Sequence, residues 1–229
     1  MARSQLLKDI VSGKEQLENI LMRLKVILSD LDNEIIMNWV DGELRGYKDP
    51  KDIPPYRKLR GIPYGTFLVN FQTTYTEAQV PLEVLLDKET ITNLCVLEFK
   101  DGIKAIENML NGDNRNNIAK PISTAFCHKI SVDELQIASM KVKFSSNQVD
   151  GLVSNVKSKL IEVIMELEKQ FDNIEDLDIK EQIDDDSTKK SSVIYNIENI
   201  IYEGSIDMGD KNKIKGSRIG NLLSRGDKN

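Results

Sequence analysis

The single histidine of the chain, His128, follows Cys127, and a thiol beside an imidazole is the raw material of nucleophilic catalysis. Neighbouring residues of an extended chain point to opposite sides, so the two are not placed to exchange a proton. With Cys95 as the second thiol, two sulfurs and one imidazole fall short of a tetrahedral zinc set, and two cysteines make no disulfide framework. Asp184, Asp185 and Asp186 offer adjacent carboxylates to a divalent ion, but they sit in a polar run whose simpler reading is solvation. No phosphate-cradling glycine loop stands between a strand and a helix; Gly216-Ser-Arg-Ile-Gly220 has the glycines without that context. The expectation is no catalytic residue, no metal and no cofactor.

Basic side chains gather at Arg57, Lys58 and Arg60, with Tyr56 and Tyr64 close by in sequence. Such a patch suits a phosphate backbone with aromatic stacking, although the charged rim of a strand explains it more simply. A second group, Lys211, Lys213, Lys215 and Arg218, alternates with Asn212, Ile214 and Gly216, the pattern of a wetted strand face. A net charge of −6 over 229 residues speaks against a surface that binds nucleic acid as a whole, so nucleic acid ranks behind protein as a partner.

These residues depend on the elements that hold them. An apolar content of 40% supports a real core. No run reaches the roughly 18 apolar residues of a membrane span, and the first ten residues lack a signal peptide's apolar block, so a cytoplasmic location is expected. The organising stretch is Phe144 to Phe171. Val149, Leu152, Val153, Val156, Leu160, Val163, Ile164, Leu167 and Phe171 recur at steps of three and four, the stripe of a helix. Ser145 and Gln148 fit a capping box at its start, and Lys159 falls among residues of its wetted face.

Upstream, residues 4 to 46 predict a small helical bundle. Leu6, Leu7, Ile10 and Val11 give a short opening helix ending at Gly13. Two further stripes, Leu17 to Leu28 and Leu31 to Leu44, are divided by Asp30 as a cap and include Ile35. The prolines from Pro50 to Pro55 stop helical backbone, and Gly61 to Val80 alternates as a strand with a hairpin partner or second strand. Pro81 to Leu86 and Asp101 to Leu110 look helical. Ile91 to Phe99 fits helix or strand, Ser131 with Glu134 offers a short capping box, and Gln136 to Phe144 fits a strand. From Asp172 to Asp186, eight acidic residues against one lysine read as a solvated linker, with a polar helix extension to about Ile179 as the alternative. Beyond Val193 the chain reads as strand-forming or disordered, with Gly204, Gly209, Gly216 and Gly220 punctuating short pieces that hold Ile206, Met208, Ile214 and Ile219.

Trp39-Val-Asp-Gly-Glu-Leu-Arg-Gly-Tyr47 and Pro54-Pro-Tyr-Arg-Lys-Leu-Arg-Gly61 resemble two elements of the AbiTii family of bacterial abortive-infection (phage-defence) proteins. The family's long helix matches Val156 to Phe171, so the resemblance covers about residues 4 to 172; many family helices carry Val-Arg where this one has Val156-Lys157. It implies a setting, phage defence ending in growth arrest or death, and no catalytic motif. Physically, Trp39 and Leu44 suit burial, while Glu43 and Arg57 suit a charge-assisted pair at the junction of bundle and sheet, with Tyr47 and Tyr56 beside them.

The expected architecture is therefore α+β: an N-terminal helical bundle, a small antiparallel sheet and a long helix over residues 1–172. A linker over 173–192 and a glycine-punctuated β tail over 193–229 follow. The expected function is a sensor or interaction protein without enzymatic activity, acting as a homo-oligomer or with a partner defence protein. Self-assembly falls to Ile206, Met208, Ile214 and Ile219, whose strands would have open edges. The competing readings are a nuclease-like toxin and a nucleic-acid binder.

Overall fold

The computed structural model describes residues 3–113, 115–184 and 187–202. Three helices open the chain. α1 (Gln5–Ser12) starts where the Ser4 hydroxyl accepts the Leu7 amide and closes at Gly13, in the left-handed region at φ 66°. α2 (Leu17–Ser29) buries its whole apolar stripe. α3 (Glu34–Arg45) is capped by Asn33, whose side chain accepts the Ile36 amide at 2.9 Å. Asp30, the expected cap, instead ends α2, and its carboxylate accepts the Ile179 amide at 3.0 Å. Val11 and Ile35, counted with the stripes, are exposed.

Past Gly46 the prolines set two 3₁₀ turns, Pro50–Asp52 and Pro55–Arg57. The chain then enters β1 (Lys58–Arg60), β2 (Ile62–Val69) and β3 (Thr73–Gln79), the last two a hairpin. Only Leu82–Val84 of the next expected helix forms, as a 3₁₀ turn. Ile91 to Phe99 proves to be both alternatives: α4 (Lys88–Cys95) runs straight into β4 (Val96–Glu98), which pairs antiparallel with β1. Next come α5 (Ile103–Asn111), β5 (Ala119–Ile122), α6 (Thr124–Ile130) and β6 (Leu135–Lys143). The larger sheet is antiparallel in the order β3-β2-β6-β5. Ser123 caps α6. Ser131, expected to open a capping box, follows the helix, where its hydroxyl accepts the Ile137 amide at 2.8 Å.

α7 (Ser146–Gln170) is the long helix, about 38 Å at 1.5 Å per residue. Ser145 and Gln148 cap it reciprocally, and it buries Val149, Leu152, Val156, Leu160, Val163, Ile164 and Leu167. Lys159, assigned to the wetted face, is buried with them.

The largest departure from the sequence reading begins after Phe171. Residues 173–192, expected as a solvated linker, hold a 3₁₀ turn (Ile174–Asp176), α8 (Lys180–Asp184) and the start of α9 (Ser187–Tyr202). Ile174, Ile179 and Ile183 are buried in the common core, and so are Val193, Ile197 and Ile201. The segment expected to turn strand-forming at Val193 is helical as far as Tyr202. Burying an isoleucine contributes about 1.5–3 kcal/mol, so three of them suffice to pin a stretch whose carboxylates can still face water. Polar ties fasten α9: Asn33 donates to Glu198 at 3.0 Å and Asn196 to Glu166 at 2.7 Å. One core therefore runs from Leu6 to Ile201. Among the described residues, no helix is long and apolar enough to cross a membrane.

Candidate functional site

The two glycine-containing elements singled out in the sequence meet at one place. α3 carries Trp39 and Glu43 inward, one turn apart, and the 3₁₀ turn ending at Arg57 delivers Tyr56 and Arg57 to the same spot. Tyr47 folds back beneath α3 after Gly46. Trp39, Glu43 and Arg57 are fully enclosed, and Tyr47 and Tyr56 nearly so.

Glu43 is the hub. Its Oε1 accepts from Tyr47 Oη at 2.8 Å, Tyr56 Oη at 2.8 Å and Arg57 Nε at 2.9 Å, while Oε2 accepts from Arg57 Nη2 at 2.5 Å. This is the two-pronged guanidinium–carboxylate geometry, the strongest form of ion pair. Arg57 Nη1 donates to the carbonyls of Phe99 at 3.0 Å and Asp101 at 2.6 Å, and the guanidinium lies 5.1 Å from the centre of the Tyr47 ring. Trp39 Nε1 donates to Tyr56 Oη at 2.8 Å. Among the described residues, no buried side-chain nitrogen or oxygen lacks a partner.

The electrostatics follow from enclosure. Burial, reinforced by the Glu43 carboxylate, pushes the Tyr47 and Tyr56 phenols well above the usual range, so both remain donors. Burial alone would lower the Arg57 pKa, but the charge and hydrogen bonds of Glu43 outweigh it and keep the guanidinium more firmly protonated than in water. The arrangement can fasten three pieces of chain together: α3, the turn before β1 and the segment after β4. Its oxygens and nitrogens are spent on one another. Of the residues lining the neighbouring surface depression, only Tyr47 belongs to the network; the others that contribute side chains to it include Asn38, Asp41, Arg45, Lys48 and Asp52.

Two glycines make the fit. A Cβ on Gly42 would lie 2.2–2.5 Å from the Tyr47 ring, and Gly46, at φ 94°, lets the Tyr47 amide reach the Lys100 carbonyl at 2.7 Å. The sequence reading ended the helical bundle at residue 46 and gave Gly42 no role. The signal was there: a glycine inside a helix costs about 1 kcal/mol against alanine, so it asks for a packing reason.

The other candidate residues are placed differently. Arg57, proposed to touch nucleic acid, is buried against Glu43 and presents nothing to a phosphate backbone. Lys58 pairs with Glu98 at 3.2 Å across the β1–β4 ribbon, and Arg60 is exposed at its end. Cys127 and His128 lie on α6 rather than on extended chain, with the Cys127 thiol buried. Among the described residues no group of three or more His, Cys, Asp or Glu stands close enough to hold a metal ion. Ile206, Met208, Ile214 and Ile219 lie outside the described residues.

The AbiTii family model matches residues 4–193. The chain belongs to the AbiTii family. Membership gives it a role in bacterial abortive-infection defence. The match extends past Phe171 into α9, in keeping with the shared core, and includes all five residues of the Glu43 network. No curated protein and no solved structure matches the chain.

Proposed function

We propose that this AbiTii-family chain is a non-enzymatic sensor or interaction protein of the defence system. Its helical and sheet core serves as a rigid platform, and the residues after Tyr202 mediate self-assembly or recruit a partner. One observation carries the reading: Trp39, Glu43, Tyr47, Tyr56 and Arg57 of the two family elements are consumed in a closed, buried network around Glu43. Residues held that way stabilise a shape, and the surface that meets other molecules lies elsewhere. The nucleic-acid alternative loses its leading residue with the enclosure of Arg57.

The test is phage plating on cells that carry the chain. Ile206→Lys and Ile214→Lys should abolish protection while the protein accumulates normally. Full protection by both variants would refute a role for those residues in the defence function.

A further inference from the structure

Among the described residues, the sheet order leaves β3 with one unpaired flank. Alternate N–H and C=O groups of such a strand point away from its neighbour, a template that proteins guard with charges, prolines or bulges. On β3 the guard covers only the second half. The register to β2 shifts between Gly65 and Phe67, Glu77 adopts φ 49°, and Lys141 and Lys143 hold its carboxylate at 2.9 and 2.8 Å. The first half, Thr73-Thr74-Tyr75-Thr76, is exposed throughout and carries neither charge nor proline. Threonine and tyrosine favour strand backbone. Thr73, Thr74 and Tyr75 keep regular pairing with Val69, Leu68 and Phe67.

An apolar layer also runs out to this edge uncovered. Tyr75 stacks on the buried Phe67, ring centres 5.1 Å apart and planes 16° from parallel, yet Tyr75 is 45% exposed. Phe71, in the β2–β3 turn, is 61% exposed. A strand laid along Thr73–Thr76 with apolar side chains two residues apart would complete both the hydrogen bonding and the layer.

The chain contains such a segment. Ser205-Ile206-Asp207-Met208 alternates polar and apolar residues over four positions and is bounded by Gly204 and Gly209. Residues 203–229 hold six Lys or Arg against four Asp or Glu, in a chain of net charge −6, so a basic segment follows a more acidic body. The three steps from Tyr202 to Ser205 span about 11 Å at most. α9 packs chiefly on α7, α3 and α8. The bond from Asn33 to Glu198 at 3.0 Å and the burial of Ile201 in the common core put the end of α9 beside the bundle. α9 thus packs chiefly on helices and β3 chiefly on β2, so a tether that short from the bundle side favours the edge of a neighbouring copy over the chain's own.

We propose that Thr73–Thr76 is the receptor for Ser205–Met208 of a second copy, which adds to the sheet as a fifth strand. The proposal rests on the reading that the residues after Tyr202 mediate self-assembly. Each copy then carries one donor and one receptor, a head-to-tail contact that builds rings or filaments.

The test uses full-length variants and solution mass. Tyr75→Lys blocks the receptor, and Ile206→Lys with Met208→Lys blocks the donor. Each variant should sediment as single chains, and mixing the two should restore a 1:1 complex through the one intact donor and one intact receptor. Thr73→Lys serves as a second receptor variant, and far-UV circular dichroism confirms folding of all of them. Wild-type assembly by folded Tyr75→Lys and Thr73→Lys would overturn the receptor assignment. If the donor variant alone then fell apart, the tail reading would survive without it. Failure of the mixture to recombine would also overturn the pairing. A single-chain wild type would overturn both readings.

Discussion

Glu43 and Arg57, fourteen residues apart in sequence, lie in two-pronged contact with Nη2–Oε2 at 2.5 Å and Nε–Oε1 at 2.9 Å, both side chains fully shielded from water. A pair like this contributes little net stability when intact, because both ions gave up hydration. Removing one partner is another matter. Arg57→Ala strands the Glu43 charge and two backbone carbonyls, and should lower unfolding free energy by about 3–5 kcal/mol. Arg57→Lys keeps the charge without the fork and should recover only part of that. Urea unfolding of the three proteins decides it; a wild-type midpoint for Arg57→Lys would show that the geometry is unimportant.

Tyr56 and Tyr47 both donate to Glu43, but only Tyr56 also accepts from the Trp39 indole at 2.8 Å. Tyr56→Phe therefore leaves a buried donor and a buried acceptor short, while Tyr47→Phe removes a donor from acceptors only, Glu43 Oε1 and, at 3.5 Å, the Trp39 carbonyl. At about 1–3 kcal/mol for a buried group left unpaired, Tyr56→Phe should be the more damaging change. The order of their denaturant midpoints is the readout, and equal midpoints would contradict the assignment.

Gly42→Ala sets helix propensity against packing. Alanine gains about 1 kcal/mol in a helix interior, but its methyl would meet the Tyr47 ring at 2.2–2.5 Å. Overpacking costs about 1–3 kcal/mol, and here it also displaces a donor from Glu43. The variant should be less stable than wild type by thermal unfolding. A gain in midpoint would show that the ring moves aside easily.

The start of α1 supplies a pH-dependent contact. Burial pushes the Glu168 carboxyl up, but its bonds to Ser4 (the amide at 2.7 Å) and Arg3 (2.8 Å) pull it further down, below the ordinary 4.5. A carboxylate depressed in the folded state adds stability above its unfolded pKa and loses it as the pH falls through the folded one. Wild type should exceed Glu168→Gln in melting temperature at pH 7, and the gap should close with acidification below about 4.5. A gap that is constant with pH would mean that the charge on Glu168 is not what fastens α1.

The three opening helices, α5, the hairpin, β6 and the capped α7 were legible because period and caps agreed: Ser145 with Gln148, Gly13 after Val11, prolines after Gly46. The meeting of Glu43 and Arg57 was legible from residue chemistry, since an acid one turn from Trp39 and a base beside Tyr56 suit a charge-assisted pair where the bundle meets the sheet. The stretch from Ile174 to Tyr202 was not. Eight acidic residues dominate the composition there, although Val193, Ile197 and Ile201 recur at steps of four, a helical period. Long-range burial against α7 and α3 decides that segment, and the step of four in those apolar residues is its one trace in the local sequence. Asp30 misled for the same reason, its carboxylate being drawn to Ile179 from across the fold.

The solution mass of the full chain beside a chain ending at Tyr202 tests most directly whether this is an assembling interaction protein. The shorter chain keeps the buried core of the described residues, so it should remain folded. The full chain should form defined oligomers and the shorter one should run near the mass of a single copy. Identical small masses for both would contradict self-assembly through the residues beyond Tyr202.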